Sequence, residues 1–226
     1  MGIPQYGRNT VTMNYRKINN RIADTLSPLE AYTYFCLTMK SDFETYHSNV
    51  NQISLAETAG VCQSTIQEHI TKFEQMGLIM VNRQINRDDD KTFRKNQYLL
   101  LYDKDEDGLE SHYVYIDGKI ITEPIKRELK GFLILLKIRC LNYTNICAYS
   151  SRELADTLTI GKSMVNNYLM MAEETGYIKR DKKKNTIQLL NDEIFIVARE
   201  TDIAEMRRIY PGVIADDMYD KRGHAI

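Results

Sequence analysis

The sequence predicts an α+β fold, mainly helical with small β-ribbons, in which one unit occurs twice within 226 residues. Two observations carry this. Asn51 to Val81 aligns without a gap onto Ser150 to Arg180, 99 positions later, and each copy passes from helical periodicity into a polar ribbon. The identical pairs are Leu55/Leu154, Ala56/Ala155, Thr58/Thr157, Ser64/Ser163, Glu74/Glu173, Gly77/Gly176 and Ile79/Ile178. The apolar matches Val61/Ile160, Ile66/Val165 and Ile70/Leu169 weigh more, because they fall at equivalent core positions.

In the first copy, Ser27 with Pro28 and Glu30 is a capping box with proline at the first helical position. It predicts a helix from Pro28 to Met39. A short helix over Gln52 to Ala59 follows, then a tight turn at Gly60 and Val61. A third helix is expected after Ser64 as its cap, with Ile66, Ile70 and Phe73 on one stripe, ending at Gly77. Leu78 to Arg83 reads as a strand, Gln84 to Lys95 as a polar loop, and Gln97 to Tyr102 as the returning strand. The second copy repeats the plan. Its helices run over Ile125 to Cys140, Ser151 to Leu158 (capping box Ser150 and Glu153) and Ser163 to Thr175, and its ribbon joins Tyr177 to Arg180 with Thr186 to Leu190. Thr159 stands where the first copy has Gly60.

These elements divide the chain into an N-terminal arm (1–26), a first unit (27–102), an acidic linker (103–123), a second unit (124–190) and an unassigned extension (191–226). Within the linker, Asp117-Gly118 inside Tyr113 to Ile121 reads as a hairpin turn.

The segments Leu55 to Ile79 and Leu154 to Ile178 resemble the winged helix-turn-helix pattern of bacterial regulators, so the fold class is two tandem winged helix-turn-helix units acting as an internal pseudo-dimer. In that family the third helix enters the major groove and the wing touches the flanking backbone or minor groove. Upstream, Tyr15-Arg16-Lys17-Ile18-Asn19-Asn20 followed by Leu26-Ser27 is similar to the opening of plasmid and phage replication initiators. Tandem winged helices also occur among those initiators and among the DNA-binding accessory proteins of conjugative elements.

The resemblance implies double-stranded DNA as the partner. With the apolar stripes turned inward, the first reading helix offers Gln63, Ser64, Thr65, Gln67, Glu68 and Thr71. The second offers Lys162, Ser163, Met164, Asn166, Asn167 and Met170. Gln and Asn can pair with adenine through two hydrogen bonds, and Thr or Met can pack on a thymine methyl. Phosphate contacts are expected from Arg83, Arg87, Lys91, Arg94 and Lys95 in one ribbon and from Lys179, Arg180, Lys182, Lys183 and Lys184 in the other. His69 and Tyr168 are aligned and expected to border the core.

A formal net charge of −1 and a pI near 6.4 do not by themselves mark a nucleic-acid binder, so such a face must come from local segregation of charge. Segregation is visible in the two basic ribbons and in the acid at Asp103 to Glu110. No apolar run approaches the roughly 18 residues of a membrane span, and no signal-peptide pattern is present, so a cytoplasmic location is expected. Neither a glycine-rich phosphate loop nor a nucleophile elbow occurs, and an enzyme is not expected. Cys36, Cys62, Cys140 and Cys147 lack Cys-x-x-Cys spacing and the four histidines are scattered; no metal or cofactor is expected, and the thiols read as reduced and mostly buried. The sequence leaves three roles open: a regulator or transfer accessory factor of a mobile element, a replication initiator binding origin repeats, and a tandem winged-helix scaffold for protein partners.

Overall fold

The computed structural model describes residues 14–88, 91–104, 106, 110–141, 144–181 and 183–197. The first half runs β1 (Tyr15–Asn19), α1 (Ile22–Thr25), α2 (Pro28–Met39), β2 (His47–Ser48), α3 (Gln52–Ala59), α4 (Gln63–Gln75), β3 (Ile79–Asp88) and β4 (Lys91–Leu100). Two short paired strands, β5 (Asp103–Lys104) and β6 (Glu110–Ser111), lead to β7 (Tyr113–Asp117) and a 3-10 turn (Gly118–Ile121). The second half continues through α5 (Arg127–Ile138), β8 (Ile146–Cys147), α6 (Ser151–Thr157), α7 (Lys162–Glu174), β9 (Ile178–Asp181) and β10 (Thr186–Leu189). Helices with small antiparallel sheets make this an α+β fold, as the sequence predicts.

The order helix, short strand, two helices, two-stranded ribbon occurs twice. α2, β2 and α4 recur 99 positions later as α5, β8 and α7, with the same lengths. The strand orders also match, β2-β4-β3 in one sheet and β8-β10-β9 in the other.

The helix starts follow from local chemistry. Glu30 accepts from the Ser27 N–H at 2.7 Å; Glu153 accepts from the Ser150 N–H at 2.7 Å while Ser150 Oγ accepts from the Glu153 N–H at 3.3 Å. Each box satisfies backbone donors that a helix start leaves open. The turn before α4 needs a left-handed residue, and Gly60 supplies it at φ 66°. Thr159 adopts the same conformation at φ 52°, so the two turns match although a β-branched side chain is strained there.

The structure corrects several expectations. α4 starts at Gln63 with Cys62 at the cap position, not after Ser64; α7 starts at Lys162 with Gly161 there. Gln84 to Lys95 is not a loop: β3 and β4 pair from Ile79↔Leu100 out to Asp88↔Lys91. The ribbon lacks apolar alternation, so a pattern search passes over it while its backbone still pairs. Asp117-Gly118 does not turn a hairpin, because Asp117 Oδ1 accepts from the Lys119 N–H at 2.9 Å and opens the 3-10 turn.

Tyr15 to Asn19, expected as part of an arm, instead forms β1 and pairs antiparallel with β7. The two strands are themselves copies, Tyr15 and Ile18 matching Tyr113 and Ile116, 98 positions later. Lys17 lies opposite Tyr115 at the centre of the ladder, and the pair Tyr15↔Asp117 is mirrored by Asn19↔Tyr113. The equivalent residues Lys17 and Tyr115 thus face each other on a local two-fold and the outer pairs are exchanged across it, as in an isologous dimer interface.

α2 packs on α5 beside this ladder. Gly131 is what admits the contact: a Cβ there would lie 1.6 Å from the Pro28 carbonyl oxygen. One buried cluster runs through both halves, from Ile18, Phe35 and Phe73 to Phe132, Leu169 and Leu189. The segment after β10 joins it. Ile194 and Phe195 are fully buried, the Asp117 N–H donates to the Ile194 carbonyl at 2.9 Å, and Asn145 Nδ2 donates to the Phe195 carbonyl at 2.9 Å. The rest of the C-terminal extension, 198–226, lies outside the described residues. Among the described residues no helix is long and apolar enough to cross a membrane.

Candidate nucleic-acid interface

α4 and α7 bury one stripe each and leave the other to solvent. α4 buries Ile66, His69, Ile70 and Phe73; α7 buries Val165, Leu169 and Ala172. This is the 3.6-residue periodicity at work. On the opposite side Gln63, Ser64, Gln67, Glu68 and Thr71 are exposed and Thr65 is half-buried. On α7 Lys162, Ser163, Met164, Asn166, Asn167 and Met170 are all exposed. The structure thus brings the candidate readers together on two faces that occupy the same place in each half.

His69 and Tyr168 border the core as expected. His69 is buried, with Nδ1 2.9 Å from Thr33 Oγ1; Tyr168 is half-buried and stacks on Phe132 at 5.0 Å between ring centroids. The first contact ties α4 to α2 and the second ties α7 to α5.

The ribbons are held against these helices by paired charges, although the sequence points their arginines to phosphate alone. Arg83 donates from its two terminal nitrogens to Glu74 Oε1 and Oε2, at 2.9 and 2.5 Å. Arg180 grips Glu173 in the second half, Nε donating to Oε2 at 2.8 Å. Glu74 and Glu173 are one identical pair of the repeat, so the clamp recurs although its arginine sits at different ribbon positions. Fork-shaped Arg–carboxylate pairing fixes orientation as well as contact, and it links each ribbon to its helix. Lys72 is likewise engaged, with Glu30 at 2.7 Å.

Among the ribbon cations whose side chains are described, Arg83 and Arg180 are paired with carboxylates. Lys179, Lys183 and Lys184 are exposed, and the Lys183 and Lys184 N–H groups donate to Asp181 Oδ1 at 2.8 and 3.1 Å, which forms the tip of the second ribbon. Lys182 lies outside the described residues. Arg87, Lys91, Arg94 and Lys95 stand on the β3–β4 ladder, and their side chains are outside the description.

Cys62, expected among the mostly buried thiols, is exposed at the cap of α4. Its Sγ lies 3.1 Å from Ser64 Oγ and 3.0 Å from Thr65 Oγ1. These contacts, Ser64 first, pull the thiol down to about 7. Cys36 and Cys147 are buried, and burial pushes both thiols up to about 12.

No protein-family model matches the chain, and no curated protein matches its sequence.

Proposed function

We propose that the protein binds double-stranded DNA sequence-specifically through two winged helix-turn-helix units, with α4 and α7 as reading helices and the β3–β4 and β9–β10 ribbons as wings. The observation that carries this reading is the recurrence of one exposed polar helix face in both halves. Gln67 and Asn166, one position of the repeat, both present a side-chain amide to solvent. Amides can discriminate bases, while the ribbon lysines attract any phosphate.

The symmetric β1–β7 ladder supports a single chain acting as a pseudo-dimer. A two-fold dimer of such units sets its reading helices into successive major grooves about one helical turn apart. Here the readers differ between halves, so the favoured site has two dissimilar half-sites in inverted orientation. Within DNA binding, the role is that of a regulator or transfer accessory factor of a mobile element, supported by the likeness of both units to bacterial regulators and of residues 15–20 to initiators.

The test is a fluorescence anisotropy titration of labelled duplex at increasing salt. Affinity should fall steeply, with a slope of about −0.9 per neutralised phosphate. Replacing Lys183 and Lys184 by Ala should make that slope shallower, by about one for each lysine that meets a phosphate. A protein that ignores duplex at low salt would speak for the scaffold role instead.

A further inference from the structure

Guanine is most often read by an arginine, or a lysine, spanning O6 and N7; adenine is read by an Asn or Gln amide across N6 and N7, and thymine offers a methyl group to apolar contact. Neither α4 nor α7 contains an arginine. The arginines on the adjoining strands whose side chains are described, Arg83 and Arg180, are turned onto Glu74 and Glu173. Lys72, the one cation of α4, is paired with Glu30. What α4 leaves exposed is three amides, Gln63, Gln67 and Gln75, with Ser64 and Thr71 and the single carboxylate Glu68.

α7 exposes Asn166 and Asn167, and beside them Met164 and Met170 are 51% and 48% exposed. Thr65 and Thr71 of α4 are their counterparts in the repeat, so a methyl-bearing side chain recurs at both positions. A thioether is soft and adaptable and suits contact with an apolar group of variable position. Lys162, at the first position of α7, remains for a phosphate or for one guanine.

We propose that the two helices read an A·T-rich duplex, adenines through the amides of Gln67, Asn166 and Asn167 and thymine methyls through Thr71 and Met170. The inference rests on the DNA-binding reading above and goes beyond it by naming the bases. The two half-sites share A·T richness and differ in order, because Gln67 and Asn166 agree in chemistry while Thr71 and Met170 differ in reach.

The test is selection of bound sites by the full-length protein from a random duplex library of roughly 30 base pairs, long enough for two successive major grooves. Base analogues are then placed in the enriched duplex. Enriched sites should be A·T-rich in both halves. Uracil for thymine, which deletes only the methyl, should weaken the wild type several-fold and leave Met170→Ala unchanged at the base it contacts. Replacing adenine by its 7-deaza analogue removes the N7 acceptor and should weaken the wild type by about tenfold, with no further loss in Asn166→Ala. G·C-rich enriched sites, or indifference to both analogues, would overturn the proposal while DNA binding stands. Retention of no duplex at low salt would overturn the DNA-binding reading and this proposal together.

Discussion

His69 Nδ1 lies 2.9 Å from Thr33 Oγ1, at the same place in the repeat where Tyr168 stacks on Phe132. The α2–α4 seam is thus polar here where the matching α5–α7 seam is aromatic. Burial, the largest influence on His69, holds its imidazole below its ordinary value of 6.5. Below that pH the unfolded chain takes up a proton that the folded chain refuses, so stability is lost as pH falls through 6.5 and below. Denaturant midpoints of the wild type should therefore decline relative to those of His69→Gln on acidification from neutral pH. Parallel curves would show that the imidazole is not held neutral.

Gly131→Ala tests the seam between the halves. In an open helix the change would stabilise by roughly 0.5–1 kcal/mol. Here the new Cβ would meet the Pro28 carbonyl oxygen at 1.6 Å, and backbone cannot swing aside as a side chain can. Urea unfolding should show a loss of about 2–3 kcal/mol. A gain would mean that α2 and α5 do not approach so closely.

The opposite sign is expected at Thr159, whose φ of 52° places a β-branched residue in the left-handed region. Gly60 fills the matching turn without strain. Thr159→Gly should stabilise by about 1 kcal/mol, since the left-handed conformation costs an L-residue roughly 1–2 kcal/mol and glycine gives some back in unfolded-state entropy. A destabilised variant would indicate that the Thr159 side chain makes a compensating contact.

What was legible in the sequence was whatever repeats locally. The offset of 99 located α3, α4, α6 and α7, because their apolar positions follow a helical period that any short window displays. The exposed faces of α4 and α7 follow from the same periodicity, since a buried stripe defines an exposed one. Less visible was everything set by distant partners. Tyr15 to Asn19 pairs with a strand 98 residues away and reads as an arm until that partner is known. Gly131 looks like a weak point in a helix, and only Pro28 explains it. Arg83 and Arg180 read as free cations because nothing in the local sequence shows that Glu74 and Glu173 receive them. Polarity hides β3 and β4, whose backbones pair from Ile79↔Leu100 out to Asp88↔Lys91.

The clamp on the first ribbon can be opened by Glu74→Gln. The change removes the carboxylate charge from an exposed pair whose own contribution to stability is about 0–1 kcal/mol, so folding should change little. The released Arg83 guanidinium becomes available to phosphate. Non-specific duplex affinity should rise and its salt dependence should steepen by about 0.9 in slope, as for one more phosphate neutralised. An unchanged slope would place the first ribbon away from the DNA.

Hydroxyl-radical footprinting on a duplex enriched by the wild-type chain tests DNA reading by two units most directly. Two protected patches are expected on one face of the duplex, about one helical turn apart, with Asn166→Ala and Asn167→Ala weakening only the patch under α7. A single protected patch, or uniform protection that no reader substitution alters, would contradict it.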